Sequence, residues 1–230
     1  AIEVVRSRVP EVWTTGDYVV DVGGVYDAKT ERFDHHQEGG AGVRDNGVPY
    51  SSLGLVWKHY GEQVCGSKEA ARLIDEKLVQ PVDAADNGID TYEVVGHATP
   101  YLLQSAVGAF RPTWKEKDRT HDVSFVETLS FARTVMLREI QIARDRVEGE
   151  SVVLEIYRNT EDKRLIVLSD NYPWETVLIN HPEPLYVVKP DHQAGSWKVM
   201  AVRASEHTFQ NRKSLPESWA GKTGEELARI

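Results

Sequence analysis

The first half of the chain alternates short continuous apolar runs with segments whose apolar positions recur every three or four residues. Residues 2–5 and 18–22, each apolar but for one acidic residue, read as runs of the kind that form parallel strands covered on both faces. Ser51 or Ser52 can cap a helix running to about Tyr60, with Leu53, Val56 and Trp57 on one face. A clearer helix follows Ser67, with early Glu69 and with Ala70, Leu73, Ile74 and Leu78 at helical spacing. Pro81 interrupts or restarts it, and Asn87–Gly88 marks a turn. Residues 124–147 predict a long amphipathic packing helix, its stripe formed by Val126, Leu129, Ala132, Met136, Ile140, Ala143 and Val147. Beyond it the stretches SVVLEIY, RLIVLS, LYVVKP and WKVMAV read as strands separated by turns. The fold class predicted is α/β: a parallel-sheet domain over residues 1–148, including the long linking helix, then a smaller strand-rich α+β domain over 149–230.

Composition narrows the function classes. A chain of 230 residues with 40% hydrophobic and 27% charged positions is an ordinary folded protein. Its formal net charge of -9 argues against a broad, non-specific nucleic-acid surface, although bound metal ions or a local basic groove would still attract phosphates. A single cysteine, Cys65, provides neither an internal disulfide framework nor a thiolate-rich zinc site. Without a membrane-length apolar run or a signal-peptide pattern, the expectation is a cytoplasmic protein with no membrane partner. The chain opens inside a strand-like run and closes inside a helix-like one, as a piece of a longer protein would.

Chemistry concentrates in the stretch YVVDVGGVYDAKTERFDHHQEGG. Asp21 stands almost at the end of a predicted strand, where ligands of open α/β sheets gather, and Gly23–Gly24 permits a tight turn. Asp34, His35 and His36 follow side by side. A carboxylate held near a strand end needs a cation or several hydrogen-bond donors, and a divalent metal supplies that charge. Carboxylates and imidazoles without thiolate suit manganese, magnesium, iron, cobalt or zinc. The Gly-rich QEGGAGVRDNG lacks the Gly-Lys-Ser/Thr ending of a P-loop and reads as a mobile loop beside the site.

With VDAADNGID, YPWETVL and NRKSLPESWAG added, the sequence resembles the Myg-type (melanocyte proliferating gene) family of metal-dependent exonucleases, within the DHH phosphoesterase superfamily. The resemblance runs along essentially the whole chain. It implies a DHH-type phosphoesterase domain with a dinuclear metal site, usually two Mn2+ with Mg2+ or another divalent ion as substitutes. It also implies 3′ to 5′ removal of nucleotides from RNA or short oligonucleotides. Matched by motif, Asp21 is the aspartate that bridges two metals, His35 a metal-binding histidine and Asp86 a further metal ligand. Asp34 and His36 stand beside the metals, with His36 set to orient a scissile phosphate. Asp83 is the rival of Asp86 and is otherwise read as a carboxylate on an exposed helix face. The family pattern also has an upstream His-Asn-Gly stretch followed by His-Ala-Asp-Glu, supplying further ligands, and it continues past the position of Ile230. Neither segment lies within these 230 residues.

Arg212 and Lys213, in FQNRKSLP, are the candidate phosphate contacts, because a guanidinium holds phosphate in a bidentate fork. Arg111 is a further candidate on the same argument. His97, His121, His181, His192 and His207 each lack a second ligand at regular spacing and read as structural or surface histidines. Trp174 and Trp197 read first as packing residues and second as stacking platforms for bases. Three functions remain open: the nuclease, a phosphatase or pyrophosphatase acting on a small phosphorylated metabolite, and a non-catalytic binding domain of the same fold. The sequence leaves the oligomeric state undetermined.

Overall fold

A computed structural model describes residues 2–229 and divides into two compact units, Ala1–Arg144 and Asp145–Ile230. The chain is mixed α/β, with a small three-stranded sheet in each unit. Among the described residues no helix is long and apolar enough to cross a membrane.

In the first unit a single turn, α1 (Pro10–Trp13), precedes strands β1 (Val19–Val20), β2 (Tyr26–Asp27) and β3 (Arg32–Phe33). The sheet order is β1-β3-β2; β1 pairs in parallel with β3, Val20 opposite Phe33, while β2 pairs with β3 antiparallel. The expected parallel sheet is therefore corrected to a small mixed one. The apolar run 18–22 is covered on one side only: Val19 is buried while Tyr18 and Val20 are exposed, so it alternates as a half-buried strand does. The strand expected at residues 2–5 does not form, and Ile2, Val4 and Val5 lie exposed. Phe33 is the sheet's anchor, with its ring about 6 Å from those of Tyr26, His59 and Tyr60.

Helices pack against this sheet. Ser51 caps α2 (Ser52–Cys65), its hydroxyl accepting from the Leu53 amide at 3.2 Å. Ser67 caps α3 (Lys68–Ile74) in the same way through Ala70. A π-type turn over Asp75–Val79 then leads without a break into α4 (Gln80–Asp86). Pro81 thus neither ends nor restarts the helix. The wider turn just before it relieves the clash that a proline ring makes with the preceding turn of a regular helix. At the far end the Ile89 amide donates to the Ala84 carbonyl at 2.8 Å and Gly88 donates to Ala85, with Gly88 at φ 73°, a left-handed stop that leaves Asp86 in the final turn.

After α5 (Leu103–Gly108), one continuous helix, α6, runs His121–Asn159. Ile140 and Ala143 of the expected stripe are buried, but Val126 is 64% exposed, and the covered side of the early turns carries Ser124 instead. The predicted strand SVVLEIY lies inside α6. Val153 and Tyr157, four residues apart, are its buried positions, so a helical repeat is what its apolar residues follow. Gly149 sits in mid-helix, and an added Cβ would fall 2.5 Å from the Pro173 ring. Close packing, not a break in the chain, uses that glycine.

The second unit adds β4 (Leu165–Val167), α7 (Glu175–Ile179), β5 (Tyr186–Asp191), β6 (Ser196–Ala201) and α8 (Gly224–Ala228). Strand β5 pairs in parallel with β4 and antiparallel with β6. Its core joins Val153 and Tyr157 of α6 to Ile166, Trp174, Leu178 and Val187. Burial of such side chains is the main stabilising contribution here, at about 1.5–3 kcal/mol for each large aliphatic or aromatic group.

Candidate metal centre

The β1–β2 turn and the loop after β3 bring four side chains to one place. Asp21 directly follows β1, and its amide donates to the Phe33 carbonyl at 3.1 Å, so the pairing with β3 fixes where its carboxylate leaves the sheet. Its backbone lies in the left-handed region at φ 64°, which aspartate tolerates better than most residues. Gly23 turns the chain next at φ 98°; an added Cβ would press on the Trp13 ring at 3.1 Å, which explains the glycine. Asp34, His35 and His36 follow β3, and with Asp21 each offers one ligand atom, all within 4.8 Å of one another.

Each of these side chains is held. Asp34 is 1% exposed, and its carboxylate accepts from the Gly24 amide at 2.7 Å and from the His36 amide at 3.2 Å. It also contacts His36 Nδ1 at 2.6 Å. Burial pushes the Asp34 carboxyl upward, but the Gly24 amide and the His36 ring outweigh burial and hold it below the usual carboxylate range. The same contact raises the His36 imidazole. His35 is the enclosed member, its side chain 9% exposed, with Nε2 3.2 Å from Asp86 Oδ2 and Nδ1 3.7 Å from Asp21 Oδ1. Asp86 thus joins the cluster from the end of α4.

Ser52 completes the arrangement and was missed by sequence reasoning. Its hydroxyl donates to Asp21 Oδ1 at 3.0 Å and lies 3.0 Å from His35 Nδ1. A signal was present: two serines stand where the start of a helix needs one cap. With Ser51 capping, Ser52 is free to face the site.

Asp83 corrects an expectation. It is not on an exposed face but is 0% exposed, three residues before Asp86. Its carboxylate accepts from the Ser51 hydroxyl at 2.5 Å and the Gly54 amide at 3.0 Å, and pairs with Arg44 at 2.8 Å. Arg44 also bonds Asp75 at 2.7 Å, so the far part of the Gly-rich loop, expected to be mobile, is anchored to the helices. No Cβ fits at Gly54: it would stand 1.9 Å from Asp83 Oδ2.

Arg212 and Lys213 lie in the second unit. The Arg212 guanidinium is directed at backbone carbonyls around the end of α7, those of Ile179 at 2.5 Å, Pro184 at 3.1 Å, Leu178 at 3.4 Å and His181. It acts there as a C-terminal helix cap, so its contacts do not support the expected phosphate-binding role. Lys213 is exposed. Of the remaining candidates, His181 stacks on Tyr157 at 4.1 Å, His192 pairs with Asp170 at 2.8 Å, and Trp174 is a core residue while Trp197 is exposed.

Known proteins resemble this chain along its whole length. A family model for MYG1 exonucleases, described as "Uncharacterised protein family (UPF0160)", matches residues 1–230. The human MYG1 exonuclease is 28% identical over 260 residues, spanning 99% of this chain and 69% of its own. The rat MYG1 exonuclease is 30% identical over 99% of this chain and 68% of its own. A MYG1 protein of Schizosaccharomyces pombe is 28% identical over 99% of this chain and 78% of its own. No solved structure matches. The chain belongs to the MYG1 exonuclease family and is, by that membership, an enzyme of the hydrolase class.

Proposed function

We propose that this chain is a metal-dependent phosphodiesterase of the DHH superfamily that removes nucleotides from the 3′ end of RNA or short oligonucleotides. The observation that carries the reading is the convergence of Asp21, Asp34, His35 and His36, with Asp86 alongside, without an arginine or lysine to neutralise them among the described residues. Hard carboxylate oxygens and imidazole nitrogens without a thiolate fit Mn2+ or Mg2+. Asp21, His35 and Asp86 would hold the ions, two in the reading favoured here. A divalent ion, when bound, supplies a Lewis acid that lowers the pKa of water and offsets phosphate charge.

The chain's own groups do the rest. Ser52 and Asp21 fix the Nδ1 side of His35 and leave Nε2 facing Asp86. Asp34 is spent on donors from Gly24 and His36 and so positions His36, whose ring is 60% exposed and free to meet a phosphate oxygen. In the overall reaction water oxygen adds to phosphorus and the bond to the 3′ oxygen breaks. The products are a nucleoside 5′-monophosphate and a new 3′-hydroxyl end. Residues 1–148 are proposed as the catalytic part and 149–230 as an accessory part.

The test is an end-labelled single-stranded RNA incubated with the protein and Mn2+. Stepwise shortening from the 3′ end, abolished by chelator and by Asp21→Ala, is the expected result. Shortening that persists in Asp21→Ala would overturn the reading.

A further inference from the structure

A cavity of about 430 Å³ opens beside the metal centre, within the first unit. Its walls come from α2, α4, α5 and α6, through apolar side chains such as Leu53, Val82, Val107, Phe131 and Met136. Three polar residues interrupt this lining: Asp86, Gln104 and Arg111. Asp86 is shared with the candidate metal centre, its carboxylate 3.2 Å from His35 Nε2, so the cavity adjoins that site. Its volume lies in the range of about 300–1,000 Å³ in which small-molecule sites fall.

We infer that this cavity receives the base of the terminal nucleotide of the substrate. The inference rests on the nuclease reading above and adds to it a subsite and a preference. An apolar hollow is a poor home for phosphate, which would lose its hydration without gaining enough donors. A flat heteroaromatic ring suits it: the faces lie against aliphatic and Phe131 surface, and ring edges need only the few hydrogen bonds that an amide such as Gln104 supplies. Arg111, in the same lining, places a positive charge near the entering nucleotide. Asp86 is part of the same lining, and the phosphate of that nucleotide must lie beside it for hydrolysis. Recognition through ring faces tolerates every base, so the subsite selects for an unpaired terminal nucleotide rather than for a sequence.

The experiment compares two ligands by calorimetry on the full chain with Mn2+ present. Adenosine 5′-monophosphate carries the base; ribose 5-phosphate has the same sugar and phosphate without it. Base stacking predicts about 10- to 100-fold tighter binding of the nucleotide. Ala132→Trp, which enters the cavity from an exposed position on α6, is expected to bring the two affinities within about twofold while leaving ribose 5-phosphate unchanged. Val107→Trp fills the same space from α5 and serves if the first variant does not fold. Equal binding of both ligands by the unaltered chain, with RNA hydrolysis intact, would overturn the subsite and leave the nuclease reading standing. Binding of neither ligand, with no hydrolysis, would remove both. A change of oligomeric state on Ala132→Trp, with the nucleotide preference retained, would assign the cavity to a second copy of the chain instead.

Discussion

Asp83 and Asp86 stand three residues apart at the end of α4, and their surroundings are opposite. Asp83 is sealed from water and met by Arg44, the Ser51 hydroxyl and the Gly54 amide. Asp86 is 52% exposed and faces a histidine, in a group of carboxylates that no arginine or lysine pairs with among the described residues. In the first region the protein provides the counter-charge, although Asp83 Oδ2 and Arg44 Nη1 keep no hydrogen bond of their own, and the bonds from Ser51 and Gly54 tie the start of α2 to α4. The second has more acceptor than donor, which suits a cation brought from outside. Acidic residues alone do not distinguish a structural network from a site; the presence or absence of a built-in cation does.

The largest effect should come from the closed network. Asp83→Ala leaves the Arg44 charge buried, with only Asp75 as its remaining carboxylate partner, and should lower stability by about 3–5 kcal/mol, read as a shift of the urea midpoint. A loss under 1 kcal/mol would show that the network is less closed than its geometry. Gly54→Ala acts on the same region from the other side. Its added methyl cannot coexist with Asp83 Oδ2, and the expected loss is about 1–3 kcal/mol in the same measurement.

In the open region the effects move from stability to metal. Ser52→Ala should weaken Mn2+ binding by about 10- to 100-fold, as loss of a partner that orients a ligand does, with the unfolding midpoint of the metal-free protein nearly unchanged. Unaltered Mn2+ affinity would show that the Ser52 contacts do not orient His35. Asp21→Asn should have the smallest effect on metal-free stability, within about 0.5 kcal/mol, since asparagine also tolerates the left-handed backbone. The same variant should lose RNA shortening. A large stability loss there would place Asp21 in the structural class with Asp83.

Much of the open region was legible in the sequence because its parts are local. Asp21 follows a strand, the Asp-His-His triplet follows the next, and a left-handed stop at Gly88 ends the helix bearing Asp86. The closed region was not legible, because the partner that defines Asp83, Arg44, lies in a Gly-rich loop whose composition suggests mobility. The surroundings of Arg212 were not legible either: a guanidinium seen as a free fork in sequence is aimed at carbonyls contributed by residues 178–184. The helices after Ser51 and Ser67 were visible in their caps, and strands β4 to β6 in their turns. SVVLEIY was misread because dense apolar residues satisfy both periods, and only burial against the second sheet decides between them.

The left-handed backbone at Asp21 has a consequence for anyone improving this protein by selection. Holding a non-glycine residue there costs about 1–3 kcal/mol, part of which glycine would recover after its own entropy loss in folding. A library screened only for heat resistance would therefore find no reason to keep the carboxylate, and would drift toward robust descendants without the proposed metal ligand. Directed evolution of this chain needs an activity readout in every round.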